Sequence, residues 1–350
     1  MDIRIFTNEI EVEGLREAWQ GLQGRAGVSP FSNFDVLQVW WREIARREKA
    51  SWVLATGWEE GRLVALLPLA LYSRKGFRIL RIAGHDVFLG KVSLFERPAD
   101  ADALWRAVYA RGGFDFAEIS CLTPGAEEER AIASFPAARK ADESGEKIIN
   151  FAGQAGEDWF AALSRHERRE FKRHRNNLEK RGGTRTVFYE RDWPSHEVEK
   201  MMALKAAWCE ANDKRSSIFK EAFLPSLMQA APSDGCVLGC LYCGEESIGF
   251  SLNFPMGRTN YSYVLAHDEG WSAFSPGILT IVEAIRHFAD QGCEVFHFME
   301  GRQAYKDRFA NGETVLDSFV FPRTLWGRVG VALSLAKRKG ASLRAEKRRR

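Results

Sequence analysis

The sequence predicts an α/β (α+β) chain with two domains, each a mixed, mostly antiparallel central sheet flanked by helices. Three observations predict it. The chain has 350 residues, which at roughly 100–200 residues per domain suggests two domains. Its composition is 45% hydrophobic, 12% aromatic and 28% charged, enough to fill real cores. Both halves also run in one order: helices, a set of antiparallel strands, then a helix leading into another strand. The similarity lies in the order of elements and not in the letters.

In the first half, Asp2–Thr7 reads as a strand and Val12–Arg25 as a helix. Ser32 or Asn33 can cap a helix running to Arg47, with Phe34, Leu37, Trp40, Trp41 and Ile44 as its apolar positions. Ser51–Trp58 and Arg62–Tyr72 form a hairpin pattern around Glu60-Gly61. Phe77–Ala83 and Phe114–Leu122 read as strands, and Ala101–Ala110 and Glu127–Ser134 as helices. Arg139–Lys147 is polar and charged, and Asn150–Gly156 contains glycines. These residues place a domain boundary near 150.

The second half opens on a long helical pattern, Glu157–Arg181, ended by Gly182-Gly183. After a strand at Thr184–Arg191 come helices at Val198–Cys209 and Ile218–Ala230. Three strands follow in sequence: Cys236–Cys243, Ser247–Phe254 and Asn260–Ala266. A helix at Pro276–Ala289, a strand at Glu294–Met299, a short helix around Tyr305–Phe309 and a strand at Thr314–Phe321 complete the pattern. The organisation expected is therefore 1–150, 151–322 and a basic tail, 323–350.

The net charge of +3 hides an asymmetry. The tail holds ten Lys/Arg and one Glu, leaving 40 basic against 46 acidic residues, a net of −6, in residues 1–322. A mildly acidic body argues against a general nucleic-acid footprint. The N-terminus has no apolar signal-peptide region, and no stretch approaches ~20 consecutive apolar residues. These features predict a cytoplasmic protein. Cys236, Cys240 and Cys243 have the C-x3-C-x2-C spacing of an iron–sulfur site. On a regular strand the third faces away from the other two, so no metal is expected.

Ser275-Pro276-Gly277 is the most informative tripeptide. Ser at an N-cap with Pro at the first helical position is a strong helix start. Ile278, Ile281, Val282, Ile285 and Phe288 share one face of the helix behind it. Its free N–H groups and dipole favour an anion. Strand, loop and capped helix together suggest a phosphate or pyrophosphate cradle.

Four segments carry a resemblance: Leu163–Gly182 (LSRHERREFKRHRNNLEKRG), Ser247–Leu252 (SIGFSL), Tyr261–Pro276 (YSYVLAHDEGWSAFSP) and Phe298–Phe309 (FMEGRQAYKDRF). In them residues 151–322 resemble the GNAT superfamily. More narrowly, they resemble the acetyltransferase-like family associated with bacterial cellulose and exopolysaccharide synthesis, related to the FemABX peptidyltransferases. The first half resembles it through PFSNFDVLQVWW and LVALLPLAL.

The resemblance implies tandem GNAT-like domains, with acyl-CoA, acetyl-CoA in the simplest case, bound in the second. Phe274, Ser275, Pro276 and Gly277 would hold the pyrophosphate, and backbone groups at Val264 and Ala266 the pantetheine and thioester. An acceptor amine or hydroxyl would attack the thioester directly, which needs a general base and a donor to the developing oxyanion. Base candidates at the strand ends are His267, Asp268, His297 and Glu300; relatives often carry Asp where His297 stands, so the base stays open among them. Lys306 falls where FemABX relatives use a Lys near the reacting carbonyl, and Tyr305 and Arg308 flank it. The basic helix, with Arg169 and Arg173, reads either as a solvated face or as an anion clamp for the acceptor.

Three functions remain open at this point. One is acyl transfer from acyl-CoA to a sugar, polysaccharide precursor or related small molecule. The second is aminoacyl transfer from aminoacyl-tRNA, in which case the nucleic acid bound is tRNA. The third is a non-catalytic accessory role in polysaccharide synthesis. The tail reads as a frayed basic end or as a peripheral contact with the inner membrane face or a polysaccharide synthase.

Overall fold

A computed structural model describes residues 1–27, 29–88, 92–212, 214, 219, 222–231, 235–300 and 303–347. They form two compact units, Met1–Gly145 with Val315–Arg350, and Glu146–Thr314. Each is a mixed, mostly antiparallel sheet flanked by helices.

In the first unit, strands β1 (Asp2–Phe6), β2 (Ser51–Glu59), β3 (Arg62–Arg74) and β4 (Phe77–Ile82) pair antiparallel in sequence order. Glu60 and Gly61 both have positive φ, +51° and +78°. That is the primed turn whose twist matches a two-residue hairpin. The short β5 (Leu94–Phe95) pairs with β3. Helix α4 (Asp100–Arg111) then carries the chain to β6 (Phe116–Leu122), which runs parallel to β4 over three residue pairs. The last strand of the chain, β13 (Gly312–Pro322), pairs antiparallel with β6. Helices α1 (Glu9–Glu13), α2 (Arg16–Ala26), α3 (Phe34–Trp40) and α5 (Glu127–Ala133) complete the layer around a core in which Trp19, Trp40, Trp52 and Trp105 are fully buried.

Most of the segment set apart as a basic tail is a helix, α12 (Leu325–Lys347). Val331 and Leu335 join a cluster of Phe77, Ile79, Phe116 and Val320. Trp326 stacks on Phe77 at 4.8 Å and donates to the Gly76 carbonyl at 3.2 Å.

The second unit begins within β7 (Arg139–Asn150). The sequence reads most of that stretch as a polar boundary. It is a strand because its main chain pairs with β12 (Val295–Glu300), a long-range bond that no local pattern announces. The long helical pattern after it divides into α6 (Gly156–Ala162) and α7 (Arg165–Gly182). Ser164 is the reason: its hydroxyl accepts the Glu167 N–H at 3.1 Å and caps α7. Next come β8 (Thr184–Tyr189), α8 (Ser195–Ala211) and α9 (Phe223–Ala230). The antiparallel strands β9 (Val237–Cys243), β10 (Glu246–Met256) and β11 (Thr259–His267) follow. Helix α10 (Pro276–Asp290) leads into β12, and α11 (Ala304–Phe309) follows it. The strand order is β7-β12-β11-β10-β9-β8.

Helix α10 is the keystone of this unit. Leu279, Ile281, Val282, Ile285 and Phe288 are buried in its core, each contributing roughly 1.5–3 kcal/mol. It lies tight on β10: a Cβ at Gly249 would collide with the Thr280 hydroxyl.

Candidate active site in the second unit

Strands β11 and β12 are parallel neighbours over only three pairs, Thr259↔Val295, Asn260↔Phe296 and Tyr261↔His297. Beyond them they part. The remainder of β11, Ser262 to His267, spans about 20 Å at the strand rise and keeps β10 on one side only. The Asp268 N–H donates to the Ile248 carbonyl at 3.0 Å, so even-numbered main-chain groups face β10. Alternation turns those of Tyr263, Leu265 and His267 toward the gap. Val264 and Ala266 are buried and pair with Leu252 and Phe250 of β10. The odd-numbered neighbours therefore supply the backbone groups of the gap. The Leu265 carbonyl accepts from Lys205 of α8 at 3.1 Å. Burial pulls the Lys205 pKa below the ordinary lysine value.

At the far end of β11 the chain makes a 3-10 turn, Glu269–Phe274, and enters α10. Ser275 occupies the N-cap position in the left-handed region, φ +51°. Its side chain does not cap; it lies 3.4 Å from His174 Nε2 of α7. Ile278 and Leu279 both donate to the Ser275 carbonyl, Pro276 has no N–H, and Gly277 N–H has no main-chain acceptor among the described residues. Gly277 also lets the helix start approach β11, since a Cβ there would lie 2.9 Å from His267 Nδ1.

Helix α7 runs beside this start. The Arg181 guanidinium lies over the Trp271 ring at 5.4 Å and the Phe274 ring at 6.0 Å, and Arg175 pairs with Glu283 of α10 at 3.0 Å. Burial, then the neighbouring Arg173 charge, depresses the His174 pKa. The first unit supplies an internal contrast. Its equivalent crossover helix α4 carries Asp100 and Asp102 in the first turn, whereas the first turn of α10 carries no acid. Acids there occupy the positive end of a helix dipole and repel an anion. In the first unit these acids are paired with Arg97 and Arg106 at 3.0 and 2.7 Å.

The other end of the gap lies where the strands separate. Between His297 and Glu300, β12 has one more residue than β7, whose partners are Ile148 and Glu146. This is a β-bulge, and Met299 takes φ +57° within it. Side chains take both main-chain groups of Met299. Its N–H donates to His297 Nδ1 at 3.1 Å, and its carbonyl accepts from Lys306 Nζ at 3.0 Å. Lys306 is only 3% exposed. Because Nδ1 accepts, the neutral imidazole carries its proton on Nε2. That nitrogen faces Glu146 Oε2 at 3.2 Å.

Glu146 is 4% exposed, and its second oxygen, Oε1, is buried with no hydrogen-bond partner among the described residues. An unpaired buried carboxylate oxygen is costly, and such groups mark strained or catalytic positions. Tyr261 lies beside the pair, its ring 5.3 Å from that of His297. Burial, then the Glu146 charge, raises the Tyr261 pKa.

The structure thus brings His297 and Lys306 together on one bulge and adds Glu146 and Tyr261. Asp268 stands apart as the cap of the 3-10 turn, accepting the Gly270 N–H at 2.8 Å, and His267 lies 3.4 Å from Glu269. The Glu300 main chain pairs with Glu146, and its side chain lies outside the described residues. Tyr305 packs edge-on against Phe298 at 6.2 Å, with its pKa raised by burial. Arg308 grips Glu167 of α7, its Nε 3.1 and 3.3 Å from the two carboxylate oxygens. Arg173 pairs with Glu170 at 2.6 Å, and Arg169 is exposed. Cys236, Cys240 and Cys243 are buried free thiols; burial raises all three, Cys240 to about 12.

Lys306 ties the short α11 to the bulge. Lys306→Met keeps the aliphatic stem and removes the ammonium. It is expected to lower turnover about a hundredfold, the scale of a small misplacement of reacting groups, with cooperative melting retained. Unchanged turnover would take the bulge out of the reaction.

Residues 165–307 match the family model described as an acetyltransferase (GNAT) domain. With the parted parallel strands and the open helix start, this match gives the second unit a GNAT-like fold. The chain as a whole shares its fold with solved structures, one of them a tandem GNAT protein. It is similar to FemX, with 8% identity and a TM-score of 0.62 over 92% of this chain and 97% of that one. It is similar to L-PGS from Bacillus licheniformis, with 11% identity and a TM-score of 0.56 over 91% and 95%. It is also similar to a tandem GNAT protein from the clavulanic acid biosynthesis pathway, with 11% identity and a TM-score of 0.53 over 92% and 99%. Among curated proteins no sequence match is found. Among the described residues no helix is long and apolar enough to cross a membrane.

Proposed function

We propose that the second unit transfers an acyl group, acetyl in the simplest case, from acyl-CoA to an amine or hydroxyl of a sugar or polysaccharide precursor. The observation that carries this reading is the gap between β11 and β12. It has an anion-seeking helix start at one end and, beside the point where the strands part, a buried carboxylate with one unpaired oxygen. The pyrophosphate sits on the α10 start around Ser275–Gly277. The pantetheine follows the gap-facing main chain of Tyr263 and Leu265. Glu146 Oε1 takes the proton as the acceptor atom bonds to the thioester carbon, and the C–S bond breaks to release the CoA thiolate. His297 holds Glu146 through Nε2–H, and the Met299 bulge holds His297. The sugar acceptor and the link to exopolysaccharide synthesis follow from the family resemblance, and the cytoplasm is the compartment we assign.

A second reading is favoured by α7, which exposes Arg165, Arg169, Lys172 and Arg173 beside the same helix start. Such a stripe suits a polyanionic donor such as aminoacyl-tRNA. Calorimetry with acetyl-CoA, paired with thiol release in the presence of amino and neutral sugars, tests the first reading. We expect one-to-one binding and acceptor-dependent thiol release. No heat with acetyl-CoA but binding of aminoacyl-tRNA would establish the second reading instead. Failure of both ligands would leave an accessory role.

A further inference from the structure

The outward face of α12 belongs to the first unit and takes no part in the site above. Leu325, Val329 and Leu333 are spaced i, i+4, i+8 and so form one stripe, and Trp326 borders it. They are 79%, 43%, 58% and 53% exposed, respectively. The opposite face is fully used: Gly327, Gly330 and Val331 are buried, and Ser334 bonds to Glu118 at 2.6 Å. A helix already docked by one face thus presents large apolar side chains to solvent by the other, which calls for an occupant.

The charges around the stripe say which. Arg328 and Lys339 border it on one side and Lys337 on the other at helical spacing, and all three are exposed. Residues 325–340 contain no Asp or Glu. The chain continues with Arg344, Lys347, Arg348, Arg349 and Arg350 against Glu346 alone. A second copy of this face would set like charges against each other. An anionic lipid surface takes the apolar stripe into its acyl boundary and the basic flanks at its headgroups.

We propose that α12 is a peripheral membrane-docking helix specific for anionic lipid. The test is flotation of the full chain with vesicles of phosphatidylcholine alone or mixed with phosphatidylglycerol. The variants are a triple apolar one (Leu325→Ser, Val329→Ser, Leu333→Ser) and a triple basic one (Arg328→Ser, Lys337→Ser, Lys339→Ser). All six positions are exposed, and circular dichroism checks the fold. Expected is binding to the mixed vesicles only, weakened by salt. The basic variant should bind roughly a hundredfold more weakly, given the contribution of three basic groups near a surface, and the apolar variant should lose binding. Absence of binding to mixed vesicles overturns the proposal, as does wild-type binding by either variant. A concentration-dependent dimer that the apolar variant abolishes would assign the face to a second copy and overturn it too.

Discussion

Glu146→Gln is expected to lower turnover by about 10²–10⁴-fold, the usual range for losing a positioned general base, while acetyl-CoA binds as before. The substitution is nearly isosteric. The amide oxygen can still accept the His297 Nε2–H at the position of Oε2, now 3.2 Å away, so His297 and the bulge stay in place. What is lost is the proton-accepting character of the oxygen that has no partner. Steady-state thiol release with saturating donor reads kcat, and calorimetry reads donor affinity. A kcat within threefold of wild type would remove Glu146 as the base. A parallel fall in donor affinity would show that it shapes the gap instead. His297→Asn serves as the companion variant: it loosens Glu146 without removing the carboxylate and is expected to cost less than Glu146→Gln.

Gly277→Asp is expected to weaken acetyl-CoA binding by about tenfold or more, from a carboxylate placed at the positive end of a helix. Two effects act together. A Cβ at this position would lie 2.9 Å from His267 Nδ1, so the helix start and the end of β11 must move apart. The added charge also opposes the pyrophosphate. Gly277→Ala separates them, because it carries the steric effect alone and should fall between wild type and Gly277→Asp. Calorimetric affinity equal to wild type in both variants would show that the donor does not use the α10 start.

The two site ends differ in how much of them the sequence discloses, and the difference is physical. The Ser275-Pro276-Gly277 start is local chemistry: a proline at the first helical position and an apolar stripe behind it declare a helix whose N-terminus is open. Even there the role of Ser275 changes. Its hydroxyl meets His174 instead of capping, because the left-handed backbone turns it toward α7. The acid at the other end gives no local sign. Glu146 lies in RKADESGEKIIN, a stretch without apolar alternation, which reads as a polar boundary. It is buried because β7 pairs with β12, more than 140 residues further on. Likewise His297 reads as a base candidate on an apolar strand, yet the Met299 bulge and Glu146 occupy both its nitrogens.

Periodicity, caps and turn residues by themselves determined the mixed α/β class, most of the order of helices and strands, and the helix start at Pro276. These depend on neighbours a few residues apart. Tertiary structure alone decided where the parallel strands part, that one residue of β12 is squeezed out of the ladder, and that Glu146, His297, Tyr261 and Lys306 meet around it. Those facts rest on strand register between distant segments. A single-residue slip of any one of these strands would turn its Glu146, His297 or Tyr261 side chain to the opposite face of the sheet.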